Sequence, residues 1–193
     1  LLAIECIDLT TLSGDDTPGK VARLCYKASR PVRADIYRKL GLGDTTITTG
    51  AVCVYPERVA DAVKALREAG APQIPVASVA TGFPDGQTPL PERLSEIRAA
   101  IEYGASEIDM VLTRTNVLKQ DWVAIYEEVK KCREMCGDAH LKVILATGHL
   151  GSLTNVYKAS LVSMMAGADF IKTSTGKEAV NAIFPVAFVM CRA

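Results

Sequence analysis

The sequence predicts an α/β fold, a (β/α)₈ barrel of which this chain carries six of the eight strands. Three observations point there. Short β-branched runs alternate with amphipathic helical stretches from end to end, which means parallel strands joined by right-handed crossovers. Five of the strands carry a polar or reactive residue in mid-strand, flanked by aliphatics of the opposite parity. Finally, the 193 residues fall short of the about 250 that a full barrel of this type occupies.

The strand candidates are 6–10, 51–55, 76–81, 107–112, 142–147 and 170–175. In the first, Asp8 lies between Ile7 and Leu9; in the second, Cys53 lies between Val52 and Val54. Asp109 lies between Ile108 and Met110, Lys142 precedes Val143, and Lys172 follows Ile171. Side chains alternate along a strand, so one face is aliphatic and the other collects Asp8, Cys53, Asp109, Lys142 and Lys172. An open doubly wound sheet is covered by helices on both faces and its strands run nearly continuous in aliphatics. In a barrel the aliphatic face meets the ring of helices and the other points inward, so the five polar groups converge on one interior.

Helical patterns fill the intervals at 20–28, 57–69, 91–103, 119–136, 155–166 and 185–192. The stretch 119–136 shows the period most clearly. Trp122, Ile125, Val129, Cys132 and Cys136 fall on one face, with Glu127, Lys130, Lys131 and Glu134 opposite. Gly70, Gly104, Gly137 and Gly167 each follow a helix, where glycine takes the left-handed cap most easily. Only the first connection is long, with "RPVRADIYRKLGLGD" inserted. No linker or low-complexity tract interrupts the pattern, so 1–193 reads as one incomplete barrel domain.

Bulk properties narrow the function. Lys and Arg together number 22, as do Asp and Glu, so the formal net charge is zero. That removes electrostatic support for a nucleic-acid or anionic-membrane partner. No apolar run approaches the roughly 20 residues of a membrane span. The opening "LLAIECIDLT" has no cationic leader and no initiator Met, and it reads as a chain cut just before its first strand. The six cysteines form no CxxC pair and only two histidines, His140 and His149, could join them in a metal site. Cys132 and Cys136 have helical ligand spacing but no companions, and they read as half-buried small residues of a reduced, intracellular protein.

Lys172 is the residue that most needs explaining, because a lysine in mid-strand is costly to bury. An ammonium in a low-dielectric interior is disfavoured by desolvation and by a neighbouring cation, here Lys142 on the preceding strand. A neutral amine is a nucleophile able to form a Schiff base with a carbonyl, and Asp109 can relay protons during its formation. The plain alternative is a structural ion pair of either lysine with Asp109 or Asp8. "STGK" also invites a phosphate-loop reading, but Ile171 stands where that loop needs glycine and Glu178 where it needs Ser or Thr. Thr173, Ser174, Thr175 and Gly176 instead line the mouth at the strand's C-terminal end. Lys177 lies just past it, solvated or drawing in an anionic substrate. Thr10, Thr11 and Tyr55 place hydroxyls near the same mouth, and His149 reads either as a general base or as a solvated loop histidine.

Taken together, "IDLTTLSGDDT", "AVCVYPERV", "VASVATGFPDGQT", "EIDMVL", "LKVILATG" and "DFIKTSTGK" resemble the deoxyribose-phosphate aldolase family, its vertebrate-type members in particular. The resemblance runs the length of the chain with the motifs in order. It implies a class I aldolase on a (β/α)₈ barrel that reversibly cleaves 2-deoxy-D-ribose 5-phosphate to D-glyceraldehyde 3-phosphate and acetaldehyde. It further implies no metal or other cofactor, only a covalent Schiff base on lysine, and a cytoplasmic role in deoxyribonucleotide catabolism. Partners are then small sugar phosphates and aldehydes, with a homo-oligomer compatible. By the resemblance Lys172 forms the Schiff base and Asp109 works in the proton relay, while Lys142, Asp8, Cys53, Thr10 and Thr175 line the substrate pocket.

The chain also departs from the family pattern. The family's second lysine, in a "GFKPAGG"-like seventh strand, and the phosphate-binding glycine loops after strands seven and eight are not in it. His149 stands where the family usually has glutamate, Gly50 where alanine is expected and Ile183 where threonine is usual. The alternative reading is accordingly a catalytically inactive fragment or isoform of this aldolase.

Overall fold

A computed structural model of the chain describes residues 1–43 and 47–193. Asp44, the last residue of the inserted stretch, lies outside the described residues. Among them, six strands stand in the sheet in their sequence order. A doubly wound sheet reverses its order at a switch point, so the sequential order is that of the expected barrel. The chain divides into two compact units, Leu1–Ser78 with Tyr103–Ser106, and Val79–Glu102 with Glu107–Ala193.

The first unit opens with α1 (Leu2–Glu5), not with the strand expected from residue 6. Cys6 and Ile7 are spent closing that helix, their amides donating to the carbonyls of Leu2 (3.1 Å) and Ile4 (3.1 Å). Strand β1 (Asp8–Thr10) follows, then α2 (Pro18–Ser29), and then α3 (Ala34–Lys39) within the inserted stretch. Pro18 stands at the start of α2, and the Thr17 side chain accepts from the Lys20 amide at 3.3 Å, a conventional N-cap. Strand β2 (Ala51–Val54) runs parallel to β1 with Thr10 opposite Cys53. Helix α4 (Val59–Glu68) packs its buried Val59, Ala62, Ala65 and Leu66 toward α2, where the Cys25 thiol donates to the Ala62 carbonyl at 3.7 Å. Strand β3 (Val76–Ala80) pairs parallel with β2, Cys53 opposite Ala77.

Gly50 owes its identity to a close approach in this unit. A Cβ there would overlap the carbonyl oxygen of Glu5. The alanine expected at this position does not fit under the end of α1.

The second unit holds α5 (Leu90–Glu102), β4 (Glu107–Val111), α6 (Arg114–Leu118), α7 (Trp122–Cys136), β5 (His140–Ile144), α8 (Leu153–Met165), β6 (Phe170–Lys172) and α9 (Phe184–Arg192). The helix expected over 119–136 starts at Trp122, behind a separate short helix, α6. Gln120 takes a left-handed conformation (φ 58°), and Asp121 then caps α7 by accepting the Ala124 amide at 3.0 Å. Along α7 the buried residues are Ile125, Glu128, Val129, Cys132 and Cys136, with Glu127, Lys130, Lys131 and Glu134 exposed as the period predicts. Glu128 is charged yet buried because Arg93 of α5 meets it at 2.5 Å. The same guanidinium donates to Thr113 Oγ1 and the Val111 carbonyl, both at 2.8 Å, pinning the end of β4 to two helices. The four cap glycines have φ of 72°, 103°, 55° and 101°, the left-handed values expected of them.

Strand β6 corrects one expectation. It is not buried: Phe170 is 52% exposed, and Ile171 and Lys172 are half-buried. It is the last strand in the sheet order, so Lys172 has β5 on one side and partial access to solvent.

Candidate active site

Strand register assembles the charged centre of the second unit. Asp109 of β4 stands opposite Lys142 of β5, and Ile144, two residues further on, stands opposite Lys172 of β6. Paired residues of parallel strands point to the same face, so the three side chains converge. Lys172 Nζ donates to Asp109 Oδ2. Lys142 Nζ lies 3.5 Å from Asp109 Oδ1 and 2.5 Å from Glu107 Oε2. The Asp109 side chain is fully buried and that of Lys142 nearly so, while Lys172 keeps 30% exposure. A primary amine with access to solvent and a carboxylate in contact is the pairing that carbonyl addition followed by proton transfer requires.

Beyond β6 the chain makes a tight turn held by a carboxylate. Glu178, 2% exposed, accepts from the Thr175 amide (3.0 Å) and hydroxyl (2.7 Å), and the Lys177 amide donates back to the Thr175 hydroxyl at 3.1 Å. Arg114, past the end of β4, donates to the Pro84 carbonyl and lies 3.9 Å from Glu178. Burial works against the charged form of Glu178. The Thr175 hydrogen bonds, its own backbone and the Arg114 guanidinium outweigh it and hold the carboxyl below its ordinary range.

The sequence-derived residues divide between the units. Asp109, Lys142, Lys172 and Thr175 lie in the second. Asp8, Thr10 and Cys53 lie in the first, where the Thr10 hydroxyl donates to the Asp8 carbonyl at 2.8 Å and Cys53 is 1% exposed. The Thr11 hydroxyl donates to Asp16 at 2.9 Å, and the Tyr55 hydroxyl is pushed up by burial and by the Asp16 charge. His149 and Lys177 are both exposed.

Glu107, Arg114 and Glu178 escaped the sequence reading. Glu107 had a signal, since it shares the parity of Asp109. Arg114 and Glu178 sit outside strands, where no period announces a partner.

Among the described residues no three His, Cys, Asp or Glu side chains cluster in a way that could hold a metal ion. Burial pushes the Cys132 thiol up to about 12 and that of Cys136 up to about 11, so the two stay protonated at ordinary pH. No helix among the described residues is long and apolar enough to cross a membrane.

Comparison with known proteins places the chain in a family. The family model described as DeoC/LacD family aldolase matches residues 2–193. The chain is 68% identical over 193 residues to the deoxyribose-phosphate aldolase of Mus musculus, an alignment that covers 100% of this chain and 60% of that protein. It thus spans about 60% of the length of the curated relatives it matches. A crystal structure assigned as a deoxyribose-phosphate aldolase from Coccidioides immitis superposes with a TM-score of 0.82 at 30% identity, over 97% of this chain and 66% of that one. The tetrameric deoxyribose phosphate aldolase from Aeropyrum pernix gives 0.77 at 27% identity, over 98% and 71%.

Proposed function

The chain belongs to the DeoC/LacD aldolase family, and from that premise we propose that it carries the Schiff-base centre of a deoxyribose-phosphate aldolase. The observation that supports this most is the contact of Lys172 with Asp109 at the half-exposed end of an otherwise buried charged array.

In the proposed reaction the neutral Lys172 amine adds to the C1 aldehyde of open-chain 2-deoxy-D-ribose 5-phosphate. The carbinolamine loses water to give a protonated imine, with Asp109 moving the proton. The C3 hydroxyl loses its proton and the C2–C3 bond breaks. Its electron pair passes to C2 and the imine to form an enamine, and D-glyceraldehyde 3-phosphate leaves. Protonation of the enamine at C2 and hydrolysis then release acetaldehyde and restore Lys172. The iminium nitrogen is the electron sink, so the reading uses no metal. The substrates are small molecules. A homo-oligomer, as in the Aeropyrum pernix tetramer, and a cytoplasmic location complete the proposal.

The test is reductive trapping. Incubation of the purified chain with acetaldehyde and borohydride, followed by peptide mass spectrometry, is expected to place an ethyl group on Lys172. An adduct on surface lysines alone would overturn the assignment. Turnover of the sugar phosphate is a separate measurement, because the trapped imine requires only the centre contained in this chain.

A further inference from the structure

Two amines share the interior face of the second unit, and only one of them is proposed to be the nucleophile. Their surroundings differ. Lys172 contacts Asp109 and is 30% exposed. Lys142 is 6% exposed and lies between two carboxylates, Glu107 at 2.5 Å and Asp109 at 3.5 Å. Register explains the arrangement, since Glu107 stands opposite His140 one step below the Asp109–Lys142 pair on the same face. The result is a line of alternating charge: Lys172, Asp109, Lys142, Glu107. It ends at His140, whose Nδ1 lies 3.8 Å from Glu107 Oε1 and whose ring is 59% exposed.

Lys142 meets charge from both neighbouring strands. From β4 it faces Glu107 and Asp109, and from β6 Lys172 shares Asp109 with it. On α7 the buried carboxylate of Glu128 is taken by Arg93. Of the two β4 carboxylates Glu107 is the nearer to Lys142. Without Glu107, Lys142 would lose its nearer carboxylate and share Asp109 with Lys172.

A buried ammonium is retained only where an opposite charge compensates its desolvation. An ammonium has no lone pair to offer a carbonyl. We propose that Glu107 is a positioning residue that holds Lys142 as an ammonium, so that carbonyl addition falls to Lys172 and not to Lys142. The part concerning Lys172 rests on the Schiff-base reading above; the pairing of Glu107 with Lys142 does not.

Competitive acetylation separates the two. A trace of acetic anhydride transfers its acetyl group to an unprotonated amine, releasing acetate and a proton, and peptide mass spectrometry reads each lysine. In the unaltered chain, Lys142 is expected to become acetylated only at higher pH than Lys172. In Glu107→Gln, the Lys142 profile is expected to move down by about one pH unit, which is about tenfold faster labelling at a fixed pH. Glu107→Asp, which keeps the charge, is expected to restore most of the original profile, whereas a merely space-filling role for Glu107 would favour Gln over Asp. Circular dichroism checks that the variants fold. Should Glu107→Gln fail to fold, the order of Lys142 and Lys172 in the unaltered chain still tests the proposal through its reverse outcome. Identical Lys142 profiles in the unaltered chain and Glu107→Gln would overturn the proposal, as would Lys142 labelling ahead of Lys172.

Acetaldehyde with borohydride gives the independent readout. An adduct on Lys172 alone is expected in the unaltered chain, with a second on Lys142 in Glu107→Gln. Absence of any interior adduct would sink the Schiff-base reading, while the acetylation profiles would still decide the role of Glu107.

Discussion

Lys172 and Asp109 stand 63 residues apart in the chain, yet the amine of one donates to the carboxylate of the other. The pair is asymmetric. Asp109 is fully buried and faces a second cation, Lys142, at 3.5 Å, whereas Lys172 keeps 30% exposure. Removing the carboxylate takes a contact from Lys172 and from the buried Lys142, which keeps Glu107 at 2.5 Å. Removing Lys172 leaves Asp109 with Lys142. Asp109→Asn is therefore expected to cost about 3 kcal/mol and Lys172→Met about 1 kcal/mol, the smaller figure reflecting solvent at Lys172. Urea denaturation of the two variants checks the order. Equal losses would mean that Lys142 gives Asp109 no support.

Glu178 makes the acid limb of the stability curve partly its own. Its folded-state carboxyl lies below its ordinary value of 4.5, with burial opposing ionisation and the Thr175 hydrogen bonds and Arg114 prevailing. A depressed folded value means that folding favours the ionised form. The stabilisation is complete above the unfolded value and is lost as pH falls through the folded one. Glu178→Gln is thus expected to be less stable than the unaltered chain at neutral pH, with the gap closing below about pH 4.5. Unfolding free energies measured along an acid titration of both proteins read this directly. A gap that stays constant with pH would assign the loss to shape and not to charge.

Strand parity exposed Asp109, Lys142 and Lys172 because a period of two is rigid and a parallel register carries it from strand to strand. The same rule covers Glu107. A glutamate at a strand's first position reads as a surface charge, and only the pairing with Lys142 at 2.5 Å shows that it turns inward. The helices were legible from their apolar faces but not their ends. Three side-chain caps, Thr17, Asp121 and Ser152, set where α2, α7 and α8 begin, and the last starts α8 at Leu153, ahead of the expected residue 155. Short helices such as α1, α3 and α6 bury little or nothing, so no apolar period announces them. Exposure of β6 follows from its place at the end of the sheet order, as the incomplete-barrel reading implies, and not from its own residues, which look the same at an edge.

Ile183 occupies the N-cap of α9 in extended conformation (φ −129°, ψ 154°) and has no side-chain capping hydrogen bond to give. The side chain is 48% exposed, so little apolar burial depends on it. A threonine hydroxyl at an N-cap accepts one of the first free amides of a helix, and such caps contribute about 1 kcal/mol. Ile183→Thr is expected to raise the thermal midpoint and to slow amide exchange in the first turn of α9. An unchanged midpoint would mean that this helix end has little weight in global unfolding.

Gly50 carries the opposite expectation, because here the usual alanine should harm the chain. Its backbone amide donates to the Ile7 carbonyl at 3.0 Å, tying the start of β2 to the segment before β1. Its Cα faces the Glu5 carbonyl so closely that an added methyl would overlap that oxygen. The obstacle is backbone, so no side-chain rotation relieves it, and either α1 or the start of β2 has to move. Overpacking of this kind costs about 1–3 kcal/mol. If Gly50→Ala displaces α1, the loss is expected at the low end, with faster amide exchange at Cys6 and Ile7 and little change along β2. If β2 shifts instead, the Gly50–Ile7 hydrogen bond breaks and exchange should quicken from Ala51 onward. Truncating α1 in the same background separates the two, since without the Glu5 carbonyl the alanine should become harmless. A variant that remains destabilised after that truncation would show that the clash with Glu5 is not the cause.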